Sequence, residues 1–182
     1  EEPEVRKSDV ASLVIAGLAA SAGGLEALSA LLLRLPDHPG LSVVVVVHLT
    51  PDRPSALAEV LSRTTSMPVL EATQGLRLEP DHVYVIPPNT MMTLHHGVVR
   101  LRPRSASPSP HKPADAFFVS LAKDRKRHAV GVVLSGADHD GTLGLEAIKE
   151  AGGTTFAQDE TAKVPGMPKS SIASGAVDFI GP

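Results

Sequence analysis

Apolar residues recur along this chain in two rhythms. The runs Ser12 to Gly17, Leu41 to Val47 and Ala129 to Leu134 lack polar alternation, as expected of strands covered on both faces. Between them, Gly24 to Leu35 sets Leu25, Leu28, Leu31, Leu32 and Leu35 at helical spacing, and Pro54 to Arg63 repeats the pattern through Leu57, Val60 and Leu61. Pro36-Asp37-His38-Pro39-Gly40 punctuates the two halves, and Pro68-Val69-Leu70 opens a short strand.

The middle of the chain changes character. Val83 to Ile86 reads as a strand, and Met91 to Leu94 with Val98 to Leu101 form an antiparallel hairpin around His95-His96-Gly97. Arg102 to Pro113, rich in Ser, Pro and Arg, reads as an exposed loop. Helices follow over Ala114 to Lys126, Thr142 to Ala151 and Met167 to Ala173, with strands over Thr154 to Ala157 and Val177 to Ile180. No repeat is visible. The alternation predicts an α/β fold: a mostly parallel sheet with helices on both faces and an inserted or edge antiparallel hairpin.

Composition narrows the function. At 182 residues the chain buries roughly two-thirds of its unfolded surface as one domain. We read residues 1–11 as a linker or leader and 12–182 as the domain. With no cysteine there is no disulfide, thiolate metal site or cysteine nucleophile, and the default compartment is the cytoplasm. The net charge of −3 comes from interspersed charges, and aromatics make up only 3% without a tryptophan, so nucleic acid is not an expected partner. The longest apolar run, around Val43 to Val47, is too short to insert in a membrane.

Three polar residues follow three strand-like segments: Ser21, His48 and Asp140. In open α/β sheets, sites form outside the carboxyl ends of the strands. A hydroxyl is a poor nucleophile alone, an imidazole can take its proton, and a carboxylate can fix the imidazole tautomer. Taken singly, Ser21 is as well a helix cap or an anion-loop residue, His48 a structural histidine, and Asp140-Gly141 an ordinary turn. Together they suit a triad. The stretch Ala19-Ala20-Ser21-Ala22-Gly23 is like a nucleophile elbow with its first glycine replaced, but the order Ser, His, Asp is not that of α/β-hydrolases. Asp138, His139, Asp140 and His48 offer no recognised metal-ligand spacing.

From about Leu13 to Pro182 the chain resembles the catalytic domain of the chemotaxis receptor methylesterase family, CheB. The resemblance is carried by Ala20-Ser21-Ala22-Gly23-Gly24-Leu25-Glu26-Ala27-Leu28, Val46-Val47-His48, Val83-Tyr84-Val85-Ile86-Pro87-Pro88-Asn89, His111-Lys112-Pro113-Ala114-Asp115, Leu134-Ser135-Gly136, Asp140-Gly141 and Gly166-Met167-Pro168. The phrasing of Val83 to Asn89 and of Gly141 to Gly153 is most like domains fused to a receptor methyltransferase (CheR) module. The resemblance implies a doubly wound sheet, hydrolysis of glutamyl methyl esters on the cytoplasmic helices of chemoreceptors, and a related glutamine deamidation. It assigns Ser21 as nucleophile, His48 as base and Asp140 as the orienting carboxylate, and it implies neither metal nor organic cofactor. Ala22, Gly23 and Ala137 are then the oxyanion-site candidates, and Arg53 and His111 candidates for docking an acidic receptor helix. Other modules of a longer signalling polypeptide are expected partners, since this chain has no room for the receiver domain of stand-alone relatives.

Two positions depart from the family pattern. Ala19 stands where glycine is usual and would crowd the approach to Ser21. The loop Gly136-Ala137-Asp138-His139-Asp140-Gly141 replaces the usual Gly-Met-Gly-x-Asp-Gly, and its second carboxylate would weaken His48 as a base. A catalytically weakened regulatory or receptor-binding domain is therefore the alternative reading. Arg100, Arg102 and Arg104 alternate along the hairpin and read as one solvated face, open also to an acidic partner.

Overall fold

The computed structural model describes residues 12–48, 56–105 and 110–182. The expected leader over residues 1–11, the start of the second helix and Arg53 lie outside the described residues. In chain order the elements are β1 (Ile15–Ala20), α1 (Gly24–Arg34), β2 (Ser42–Val47), α2 (Leu57–Ser62), β3 (Val69–Glu71) and β4 (His82–Val85). The hairpin β5 (Thr90–His95) and β6 (Val98–Pro103) follows, then α3 (Pro113–Arg125), β7 (Ala129–Val133), α4 (Thr142–Glu150), β8 (Thr154–Gln158), α5 (Gly166–Ala173) and β9 (Phe179–Gly181).

Seven strands form one parallel sheet in the order β3-β4-β2-β1-β7-β8-β9. The chain winds outward from β1 through β2, then returns to place β7 on the other side of β1. That reversal opens a crevice at the carboxyl ends of the central strands, where ligands bind in such sheets. The hairpin is antiparallel as expected and makes a two-stranded sheet of its own. His96 and Gly97 both have positive φ, 49° and 73°, which matches the tight turns that suit strand twist. The β5 side of the hairpin is tied to α3: Leu94 N–H donates to Ser120 Oγ at 2.9 Å, and the N–H groups of His96 and Gly97 donate to the Asp124 carboxylate.

β1 begins three residues later than the apolar pattern predicts and runs on through Ala20. The small residues that read as the end of the strand are part of it, and packing explains why. A Cβ at Gly17 would stand 2.6 Å from Phe118 Cε1, and one at Gly131 would stand 2.6 Å from Leu145 Cδ2 and 2.7 Å from Ile148 Cδ1. Gly17 and Gly131 face each other in register on the central strands. Small residues in the sheet therefore admit Phe118 of α3 and the apolar face of α4, and Phe117, Phe118, Leu121, Leu145 and Ile148 are fully buried.

Gly144 makes the same approach possible between helices, because a Cβ there would run into Phe118 Cβ and come within 2.9 Å of its Cδ2. Alanine at an exposed helix position would gain about 1 kcal/mol over glycine, whereas overpacking costs about 1–3 kcal/mol. The clash involves the root of a ring, so it wins. Gly144→Ala is expected to lower the urea midpoint with an unchanged slope, by a net loss of up to about 2 kcal/mol. An unchanged or raised midpoint would show that α4 shifts freely over Phe118.

Candidate active site

β1 ends at Ala20, and the next residue, Ser21, sits at the bend into α1. Its N–H donates to Ser135 C=O at 2.9 Å, and its own C=O accepts from Gly24 N–H at 2.9 Å, closing the turn. Gly23, at φ 71°, occupies the left-handed conformation that lets the chain enter the helix. Among the described residues the N–H groups of Ala22 and Gly23 have no acceptor, which leaves them free at a helix N-terminus. Ser135 fixes this turn from the side: its hydroxyl donates to Ala22 C=O at 2.8 Å and accepts from Val164 N–H at 2.9 Å. Gly136 lets Ser21 and Met167 share one space, since a Cβ there would collide with Met167 and stand 3.0 Å from Ser21 Cβ.

Ala20 and Val47 are partners in register, so Ser21 and His48 leave adjacent strands at the same level. His48 Nε2 is 2.8 Å from Asp140 Oδ2. Among the described residues Ser21 Oγ makes no hydrogen bond. Asp140 is only 1% exposed and accepts two further bonds, from Ala114 N–H to Oδ2 at 2.9 Å and from Asp115 N–H to Oδ1 at 2.8 Å. Both donors belong to the first turn of α3, which opens with Pro113. The positive end of a helix therefore grips a buried carboxylate.

Asp115 returns the grip. Its Oδ1 accepts from Gly141 N–H at 3.0 Å and Gly144 N–H at 2.9 Å, which are the cap and first turn of α4. Burial pushes the Asp115 carboxyl above the usual range and the charge of Asp140 adds to this, while those two N–H groups and Lys112 pull it down. Its Oδ2 is buried without a partner among the described residues. Arg104 lies beyond the end of β6, half-buried, with Nε and Nη2 enclosed. Burial holds its pKa below the ordinary arginine value, and Asp140 opposes that shift. Arg104 is thus not part of a solvated arginine face; of the three, only Arg100 and Arg102 are exposed.

The loop of residues 137–139 is exposed, and Ala137 N–H has no acceptor among the described residues. Its path is held by Gly166, where a Cβ would stand 2.5 Å from Ala137 O, and by Met167 N–H donating to Gly136 C=O at 2.9 Å. Asp138 has two contacts. Its Oδ2 is 3.8 Å from His48 Nε2, and its Oδ1 accepts the N–H of Asp140 at 2.9 Å. The sequence flagged the first role and missed the second. Ala19 does not line the crevice: it is fully buried in the strand, paired with Val46 and Val133. His111 is partly exposed just before α3. No three acidic or histidine side chains among the described residues are arranged to hold a metal ion.

Comparison with known proteins places this geometry. The model of the family described as CheB methylesterase matches residues 16–182. The chain is 42% identical over 175 residues to the protein-glutamate methylesterase/protein-glutamine glutaminase 2 of Pseudomonas aeruginosa, covering 92% of this chain and 49% of that protein. It is 44% identical over 123 residues to an uncharacterized 104.1 kDa protein in the hypE 3′ region of Rhodobacter capsulatus, covering 67% of this chain and 13% of that one. The crystal structure of the Thermotoga maritima CheB methylesterase catalytic domain superposes with a TM-score of 0.83 at 33% identity, over 94% of this chain and 93% of that one. The chain thus spans about half the length, or less, of the curated relatives it matches. With the family model covering nearly all of the sheet, the crevice and the residues around Ser21, His48 and Asp140, this chain belongs to the CheB methylesterase family.

Proposed function

We propose that this domain hydrolyses glutamyl methyl esters on the cytoplasmic helices of chemoreceptors, and deamidates glutamines there, by a Ser21-His48-Asp140 triad. The observation that carries the reading is the 2.8 Å bond between His48 and the buried Asp140, at the strand ends beside Ser21. A carboxylate accepts, so Nε2 of His48 carries the proton and Nδ1 holds the free lone pair. Ser21 Oγ attacks the ester carbonyl carbon as its proton passes to Nδ1. Asp140 steadies the imidazolium that forms. The tetrahedral oxyanion is bound by free N–H groups among Ala22, Gly23 and Ala137, each such donor contributing about 2.7–4 kcal/mol to the transition state. The C–O bond then breaks, the Nδ1 proton leaves with methanol, and water attacks the acyl-serine by the same route to release the carboxylate. With glutamine the leaving group is ammonia.

The names of the relatives, methylesterase and glutaminase, support both leaving groups on one site. His111, beside the grip on Asp140, and Arg53 are proposed to help seat the receptor helix. Further modules of a longer signalling polypeptide are proposed as partners, which agrees with the match to a small part of a 104.1 kDa protein. No described helix is long and apolar enough to cross a membrane; a cytoplasmic location is proposed from the substrate. A merely regulatory domain is not the favoured reading, because the altered loop leaves the His48–Asp140 bond in place.

A fluorophosphonate probe is expected to label the wild type and not Ser21→Ala, and methanol release from methylated receptor membranes is expected to fall roughly 10²–10⁴-fold in His48→Gln. Equal labelling of both proteins would remove Ser21 from the mechanism. The two roles of Asp138 separate in a variant pair. Asp138→Asn keeps an acceptor for the Asp140 N–H and should hold kcat within about threefold of wild type, whereas Asp138→Ala loses a bond worth about 0.5–1.5 kcal/mol and should lower kcat about three- to tenfold. An equal departure of both variants from wild type would show that the charge, which both remove, matters more than the turn.

A further inference from the structure

Between the hairpin and α3 lies an open groove of about 1140 Å³, whose floor is the outward face of α3. Ala116 and Val119 make that floor apolar, and Leu143 of α4, 58% exposed, borders it. Arg100 of β6 and Lys123 and Lys126 of α3 and the turn after it bring positive charge to the groove. Among the described residues no carboxylate lies within ion-pair distance of these three cations. The acidic residues lining the groove are committed elsewhere. Asp124 accepts from His96 and Gly97 N–H and pairs with Arg125 at 3.0 Å, and Asp115 is buried against α4.

The direction of the groove matters as much as its charge. The first turn of α3 binds Asp140, so the Asp115 end of the groove lies at the carboxyl ends of the strands. From there to Lys126 the path along the helix is on the order of 16 Å, or three turns. An apolar floor bordered by unpaired cations fits an amphipathic helix whose charged face is acidic. A receptor segment bearing several glutamyl sites has that chemistry, since every ester hydrolysed leaves a carboxylate on the same helix.

We infer that this groove receives the flank of the substrate helix, which lies beside α3 and contacts Arg100, Lys123 and Lys126 while one of its esters occupies the strand ends. The inference rests on the proposed function. It assigns the groove to binding and leaves the chemistry to the crevice.

The test compares wild type with Lys123→Glu/Lys126→Glu, measuring kcat and KM for methanol release from methylated receptor and, in parallel, hydrolysis of p-nitrophenyl acetate. KM for the receptor is expected to rise about five- to tenfold at low salt with kcat within twofold, the difference shrinking at high salt. Hydrolysis of the small ester stays unchanged, and Lys123→Arg/Lys126→Arg restores KM. An unchanged KM at low salt overturns the groove while leaving the proposed function standing. A rise in kcat on the receptor also overturns it, because that is the signature of releasing an acidic segment of the same polypeptide. If charge reversal damages small-ester hydrolysis too, Lys123→Gln/Lys126→Gln is read by the same criteria. A wild type that cleaves p-nitrophenyl acetate but no receptor ester defeats the proposed substrate, and the groove assignment with it.

Discussion

The site depends on one buried carboxylate. Asp140 is almost fully enclosed, and an isolated charge at such a position costs several kcal/mol. Three hydrogen bonds offset that cost, two of them from the N-terminus of α3. Those N–H groups are in place only because α3 lies hard against the sheet, and α3 lies there because Gly17 and Gly144 give Phe118 room. A chain of causes therefore runs from glycines in the middle of β1 and α4 to the orientation of an imidazole at the strand ends.

The crevice is stiffened by reciprocity. α3 donates to Asp140 in the loop before α4, and Asp115 of α3 accepts from the start of α4. Burial, with the charge of Asp140 adding to it, raises the pKa of Asp115 as a result. Its contribution to stability is complete below the unfolded aspartate pKa and is lost as pH rises through the folded one. Ser135 plays the matching part on the other wall, linking Ala22 to Val164 through one hydroxyl. Donors held in this way need little reorganisation when charge develops, which is what oxyanion stabilisation requires.

Most of the architecture was legible from apolar patterning, because each strand of a parallel sheet and each amphipathic helix carries its own local signal. The failures have a physical reason. The strand read as ending at Gly17, since nothing local announces that it runs on to Ala20 or that Phe118, a hundred residues on, fills the space beside Gly17. Ser21, His48 and Asp140 were singled out as candidates by position after strands, yet the bond that joins His48 to Asp140 spans 92 residues and left no mark on either neighbourhood. Asp115 appeared within a family motif but its grip on α4 did not, because a carboxylate at a helix start looks like an ordinary first-turn acid. Arg104 looked solvated by its alternation with Arg100 and Arg102, but it follows the last residue of β6 and is half-buried, with Nε and Nη2 enclosed.

The altered loop shows how a departure from a family pattern can carry its own compensation. Asp138 brings a negative charge to 3.8 Å from His48 Nε2, but its side chain is 49% exposed, so solvent screens the pair to the level of a surface ion pair, about 0–1 kcal/mol. The same side chain accepts the N–H of Asp140 at 2.9 Å, a bond contributing about 0.5–1.5 kcal/mol to the turn that carries the carboxylate. The two effects are of similar size. A glycine at this position would add no charge but would also hold nothing, and the turn would then rely on Gly166, Met167 and α4 alone. Aspartate replaces conformational freedom with a hydrogen bond, and the bond falls on the residue whose orientation His48 depends on.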